Sequence, residues 1–213
     1  MKKILLFTAF AACCFSSFAQ SEKYMNAMKA NITAMDTAFK NPANLLSLAN
    51  SFERIANAEK QQWLPYYYAA LLQVNHGFMS GDMSGMDPVA DKAEVLLNKA
   101  DSLSPANSEI SVVKAMIATA RMVVNPMQRY MEFGPVIDAQ LEKAKQLDPT
   151  NPRPYYYKAE NLKNTPEQFG GGCATALPEL QKAKERFDLF KPASELHPNW
   201  GLSRTEMLIK ECK

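Results

Sequence analysis

One stretch, Leu141–Leu162 (LEKAKQLDPTNPRPYYYKAENL), constrains the fold of this chain more than any other. Leu141, Ala144 and Leu147 stand at i, i+3 and i+6, close to one face of a helix, with Lys143 and Lys145 off that face. Ala144 is small enough for a neighbouring helix to pack closely over it. Pro149 cannot continue the helix and biases Asp148 out of the α region. Pro152 and Pro154 lead into a new helix, whose first turn tolerates proline. Tyr155, Ala159 and Leu162 form the apolar stripe of that second helix. The stretch is therefore a helix, a tight turn and a helix.

Weaker copies recur along the chain. Leu97-Asn98-Lys99-Ala100 matches Leu141-Glu142-Lys143-Ala144, and both match Leu180-Gln181-Lys182-Ala183. The first two continue alike, with Leu103 and Leu147 three residues past the alanine and Pro105 and Pro149 five past it. Pro65-Tyr66-Tyr67-Tyr68-Ala69-Ala70 matches Pro154 to Ala159, and Val112 to Ala115 occupies the equivalent place between them. Ala56, Ala100 and Ala144 are spaced 44 apart, and Ala183 follows at 39. A fixed period of this size means stacked supersecondary units.

The small Ala of the second helix, the closing Pro, and the aromatic and small residues of the first helix resemble the tetratricopeptide repeat family. Those positions are Ala100, Ala144 and Ala183; Pro105 and Pro149; Tyr66 with Ala70; and Tyr155 with Ala159. The resemblance runs from about Ser21 to Phe187. It implies an all-α fold of stacked antiparallel helical hairpins in a right-handed superhelix, about four hairpins plus a C-terminal capping helix. The period exceeds the ~34 residues of the family, which places the excess in loops between paired helices. Lys114 and Lys158 stand where the family has apolar residues, and the last unit lacks the closing Pro. The tail, Pro198 to Leu202 and Glu211-Cys212-Lys213, is similar to that of small exported repeat-type proteins.

Helical spacing predicts helices over Ser21–Phe39, Asn44–Ala58, Trp63–Phe78, Val89–Leu103, Glu109–Val124, Val136–Leu147, Tyr155–Leu162, Ala174–Phe187 and from Leu202 onward. Asn41-Pro42, Ser104-Pro105, Asn125-Pro126 and Gly134-Pro135 separate them. No run with strict period-two alternation bounded by turn residues occurs, so no sheet is expected.

The first nineteen residues read as a targeting segment. Lys2-Lys3 is a basic start, Ile4 to Phe15 an apolar run, and Ser17-Phe18-Ala19 a small-residue cleavage site before Gln20. Lipidation at Cys13 is the alternative, weakened by the lack of an aliphatic residue three positions earlier. The expected organisation is a signal peptide over 1–19 and a single helical-repeat domain over 20–213, in the periplasm or outside the cell. No transmembrane segment is expected, because the apolar run falls short of a ~20-residue span. Without Lys2 and Lys3 the 24 basic residues fall to 22, equal to the 22 acidic ones. Bulk charge therefore gives no reason to expect nucleic acid or an anionic membrane as partner.

Export makes Cys173 and Cys212 a disulfide candidate. Cys173 starts one predicted helix and Cys212 ends another, and antiparallel packing of the two would bring the cysteines together. Two free thiols are the competing reading.

The repeat resemblance implies a concave groove lined by the first helix of each pair. Carried onto this sequence, its positions are Tyr67, Leu71 and Asn75; Val112, Met116 and Thr119; and Tyr156, Glu160 and Lys163. The leading expectation is a protein–protein interaction scaffold that binds a peptide or partner protein there, without catalysis and without a cofactor. The plain competing reading makes Tyr67 and Tyr156 half-buried packing residues. A homo-oligomer is also compatible with such a stack. A small-molecule or metal-binding protein is the alternative function. His76, Met79, Met83 and Met86 lie within eleven residues, and thioethers with imidazole suit Cu(I), although methionine in a Gly/Ser loop also simply fills apolar gaps. A hydrolase of envelope polymers is the third reading, since two carboxylates placed by a fold suffice for it. No HExxH, nucleophile elbow, phosphate-binding loop or paired CxxC pattern supports catalysis.

Overall fold

The structure, a computed structural model, describes residues 22–35 and 37–213. The segment read as a signal peptide and Cys13 lie outside the described residues. Helix α1 covers 22–35, and α2 is Pro42–Ala58, α3 Trp63–Ser80, α4 Met86–Leu103, α5 Ser108–Val123, α6 Pro126–Leu147, α7 Arg153–Asn164, α8 Cys173–Leu189 and α9 Leu202–Glu211. A short 3-10 turn, Glu167–Phe169, lies between α7 and α8. Among the described residues there is no strand. The expected all-α fold of stacked antiparallel hairpins is present.

Local chemistry sets the boundaries. Asn41, Asn107 and Asn125 cap α2, α5 and α6 by accepting hydrogen bonds from first-turn backbone amides, and Pro42 and Pro126 follow two of these caps. From α2 onward consecutive helices pack on each other, and α5 also touches α3 and α7 to form an inner layer. The repeated alanines explain the close approach: Ala56, Ala100, Ala144 and Ala183 are all fully buried. Around them pack Phe52, Tyr67, Tyr68, Leu71, Leu97, Ile110 and Leu141, none more than marginally exposed. The ring of Tyr68 stacks on that of Phe52 at 4.9 Å.

Two differences from the sequence reading matter. Helix α4 starts at Met86, so the preceding loop is shorter than expected. Helix α6 starts at Pro126 and runs through Gly134-Pro135, ten residues before its expected start. An interior proline removes one backbone hydrogen bond and crowds the preceding turn. Here the cap at Asn125 and a bidentate Arg129–Asp87 pair at 2.7 and 2.9 Å hold the first turns in place. The extra length of the repeat thus lies partly in a helix.

Cys173 and Cys212 form a disulfide, with Cα atoms 5.0 Å apart. It joins the start of α8 to the end of α9, as expected from antiparallel packing. A disulfide belongs with an oxidising compartment. Among the described residues, no helix is long and apolar enough to cross a membrane.

Candidate functional site

The concave face is not an open groove. The segment between α8 and α9, residues 190–201, runs across it. Leu196 and Pro198 of this segment are buried. Tyr68 donates its hydroxyl to the Leu196 carbonyl at 2.9 Å. Arg153 donates to the Pro198 carbonyl. The Trp200 indole donates to the Tyr67 hydroxyl at 2.9 Å, and its ring meets Tyr156 edge-on at 6.1 Å. Arg153 lies between the Phe190 and Trp200 rings, 4.7 and 5.3 Å from their centroids. Helix α9 extends the cover: Arg204 pairs with Glu160 at 3.1 Å and Lys163 with Glu211 at 2.6 Å.

The expected groove residues are accordingly engaged within the chain. Tyr67, Leu71, Val112, Met116, Thr119 and Tyr156 are buried. Asn75, Glu160 and Lys163 are half-buried, and Asn75 donates to the Leu71 carbonyl at 2.7 Å. Burial raises the Tyr67 and Tyr156 hydroxyls well above the ordinary phenol value, so both stay neutral donors. Beneath the segment, Glu109 accepts from Arg153 at 2.8 Å and from Tyr67 at 3.3 Å. Burial pushes its carboxyl up to about 7 despite the Arg153 charge beside it.

A cleft of about 380 Å³ remains at the edge of this segment, lined by Trp63, Asn107, Asp148, Phe190, Lys191 and His197 among others. That volume falls in the lower part of the ~300–1,000 Å³ range of ligand pockets. The His197 Nδ1 atom shares a hydrogen bond with the Ser194 hydroxyl at 2.7 Å, and the ring meets Trp63 edge-on at 5.8 Å. Burial lowers its pKa, which keeps the imidazole neutral at neutral pH. A second, larger hollow of about 520 Å³ between α8 and α9 is rimmed mainly by charged residues such as Lys184, Glu185, Glu206 and Lys210.

At the far end of α6 the surface is of a different kind. Helix α6 has 22 residues and α7 has 12, so at ~1.5 Å per residue roughly 15 Å of α6 has no α7 beside it. On this overhanging half Met127 is 79%, Tyr130 60% and Met131 81% exposed. Tyr130 leans over Gly134, where a Cβ would come within 3.1 Å of its ring. Phe133 and, at the end of α5, Met122 and Val123 are half-buried and pack against the core. Isolated exposed apolar residues are ordinary, and here three of them gather on one half-helix. The shelf was not legible in the sequence because Gly134-Pro135 read as the helix start.

The methionine loop is dispersed by the fold. Met86 is fully buried, its sulfur packed against Gly77. Met83 is half-buried against the core, Met79 is 37% exposed, and the His76 Nδ1 is buried without a hydrogen-bond partner. Among the described residues no group of three or more His, Cys, Asp or Glu side chains could hold a metal ion.

No family model and no curated protein matches the chain. A solved structure does: the HusA haemophore from Porphyromonas gingivalis, 35% identical, with a TM-score of 0.78 over 89% of this chain and 92% of that one. The chain belongs to the family of the HusA haemophore. This finding corrects the leading functional expectation. The HusA relative is a haemophore, not a peptide-binding scaffold, and in the present chain the groove on which the scaffold reading rested is filled by residues 190–201. Within the family, the alternative of small-molecule binding is the better supported one.

Proposed function

We propose that this protein is an exported carrier that binds haem or a closely related tetrapyrrole on the overhanging half of α6, without catalysis. The observation that carries the reading is the family relationship to the HusA haemophore over nearly the whole of both chains. The shelf supports it chemically. A tetrapyrrole is a broad, flat, largely apolar ring system. Met127, Tyr130 and Met131 offer an exposed apolar surface on one half-helix, where the Tyr130 ring lies over the buried Gly134. Methionine adapts to such a ring, and an aromatic side chain stacks on it. Tyr130 and the two thioethers are also groups that can ligate haem iron.

The His197 cleft is the rival location, because it offers a neutral imidazole and aromatic walls. It lies beside Asp148, at the opposite end of α6, which at ~1.5 Å per residue is about 30 Å long. Titrating the purified full chain with haemin, followed by the Soret band, tests the reading. The expected result is saturable binding that weakens at least tenfold in the Met127→Ser, Tyr130→Ala, Met131→Ser variant and is unchanged in His197→Ala. Loss in His197→Ala alone would move the site to the cleft. Absence of saturable binding in the wild-type chain would overturn the carrier reading.

A further inference from the structure

We infer that residues 190–201 form a strap that opens and closes over the concave face as a unit while the helices beneath it stay folded. This does not depend on where, or whether, a tetrapyrrole binds.

The strap is fastened differently from the rest of the molecule. Its buried anchors are few: Leu196, Pro198 and the partly covered Trp200. Lys191, Ala193, Ser194, Glu195 and Asn199 are exposed. What holds it is mostly polar: the Tyr68, Arg153 and Tyr67 bonds already described, and a Lys29–Glu195 pair at 2.7 Å on the surface. Segments with few buried apolar contacts open at lower free energy than the core. Both ends are secured independently. Phe187 anchors the end of α8. Helix α9 is held by the disulfide and by the buried Leu208, without help from the strap. At the junction, Gly201 has φ +110°, a conformation side chains rarely adopt, and a Cβ there would meet the Phe187 ring at 2.7 Å. The strap can therefore detach between two fixed points without unravelling α9, and detachment uncovers Tyr67, Arg153 and Tyr156.

The lock beneath it is titratable. Glu109 of α5 is faced by Tyr67 and Tyr68 from α3, Asp148 after α6, Arg153 from α7, and Lys191 and His197 of the strap, which line the same cleft. Closing the strap desolvates Glu109 and raises its carboxyl, so its ionised form favours the open state as pH rises through about 7. Burial lowers His197, so its protonation favours the open state as pH falls. The strap is held best between these two titrations.

Native-state hydrogen exchange on the full chain tests this. The His197 amide, bonded to the Ser194 carbonyl at 3.0 Å, is expected to exchange through an opening insensitive to low denaturant. The amides of α3 are expected to need global unfolding. In Trp200→Ala, strap exchange should rise at least tenfold and still proceed through an opening distinct from the global unfolding that exposes α3. A single denaturant-dependent opening shared by strap and α3, in wild type and in Trp200→Ala, would overturn the inference. Tyr67→Phe keeps the ring, removes the hydroxyl that accepts from Trp200, and should give the same pattern if the alanine variant does not fold. After correction for intrinsic exchange, strap opening should increase from pH 7 to pH 8 in wild type and stay flat in Glu109→Gln. Equal pH dependence in both would remove Glu109 from the lock.

Discussion

The concave face and the overhanging half of α6 are built from the same repeat and end in opposite states. On the concave face every aromatic position is covered. Tyr67, Tyr68 and Tyr156 each find a hydrogen-bond partner, and the fully buried Arg153 is held between two rings. On α6 the apolar positions lack a covering helix, because α7 stops ten residues short. The contrast separates two uses of aromatic and thioether side chains. Where the chain supplies its own cover they stabilise, and where it does not they are available to a ligand. Mutations on the two faces should therefore divide cleanly, the first costing stability and the second costing binding.

Arg153→Ala should show the largest loss. It removes the only buried cation of the lock and leaves Glu109 without its charged partner, and breaking such a buried pair costs about 3–5 kcal/mol. Denaturant unfolding of both proteins at one pH measures this. A loss below about 1 kcal/mol would mean that the concave face is less tightly tied than its geometry indicates.

The disulfide comes next. It closes a separation of 39 residues, worth roughly 4 kcal/mol in the chain-entropy treatment and commonly less in practice. Changing Cys173 and Cys212 to serine together should lower the unfolding midpoint accordingly. Exchange in α9 should accelerate far more than exchange in α3 or α5. Equal acceleration everywhere would show that α9 is not a separately tethered element.

Glu109 sharpens the comparison through pH. Its ordinary value is 4.5 and burial raises it to about 7, so the folded state binds the proton more readily than the unfolded state does. Its contribution to stability is therefore present at low pH and is lost as pH rises from about 4.5 through about 7, by something on the order of 3 kcal/mol. Urea midpoints at pH 5, 6, 7 and 8 should carry this decline in wild type, and Glu109→Gln should flatten it. Since Gln resembles the protonated carboxyl, that variant should remain well folded at pH 7.

How far these features could be read in advance follows from what each depends on. The hairpin stack was legible because Ala56, Ala100, Ala144 and Ala183 record helix contacts directly in the sequence. The pairing of Cys173 with Cys212 was legible because antiparallel helices bring those ends together. The covered groove was not. Tyr67 and Tyr156 fall at groove positions in the repeat, and only the three-dimensional path of residues 190–201 shows that Trp200 lies against both. The shelf was hidden for a local reason. Gly134-Pro135 is a strong break signal, and it was outweighed by the Asn125 cap and by the Arg129–Asp87 pair, whose partners are 42 residues apart.

The smallest expected effect on stability is on the shelf itself, and it gives the comparison its clearest form. Met127 and Met131 are about four-fifths exposed, so Met127→Ser with Met131→Ser removes little buried surface. Surface substitutions of this kind usually lie within about 0.5 kcal/mol. Haemin affinity should nevertheless fall at least tenfold, a change of about 1.4 kcal/mol in binding. Trp200→Ala should do the reverse, lowering stability while leaving haemin affinity on the shelf unchanged. If instead the methionine variant loses stability and keeps its affinity, the overhang is part of the fold's own packing and the ligand sits elsewhere. Measuring both quantities on both variants thus distinguishes a surface kept apolar for a ligand from one that is apolar only because α7 is short.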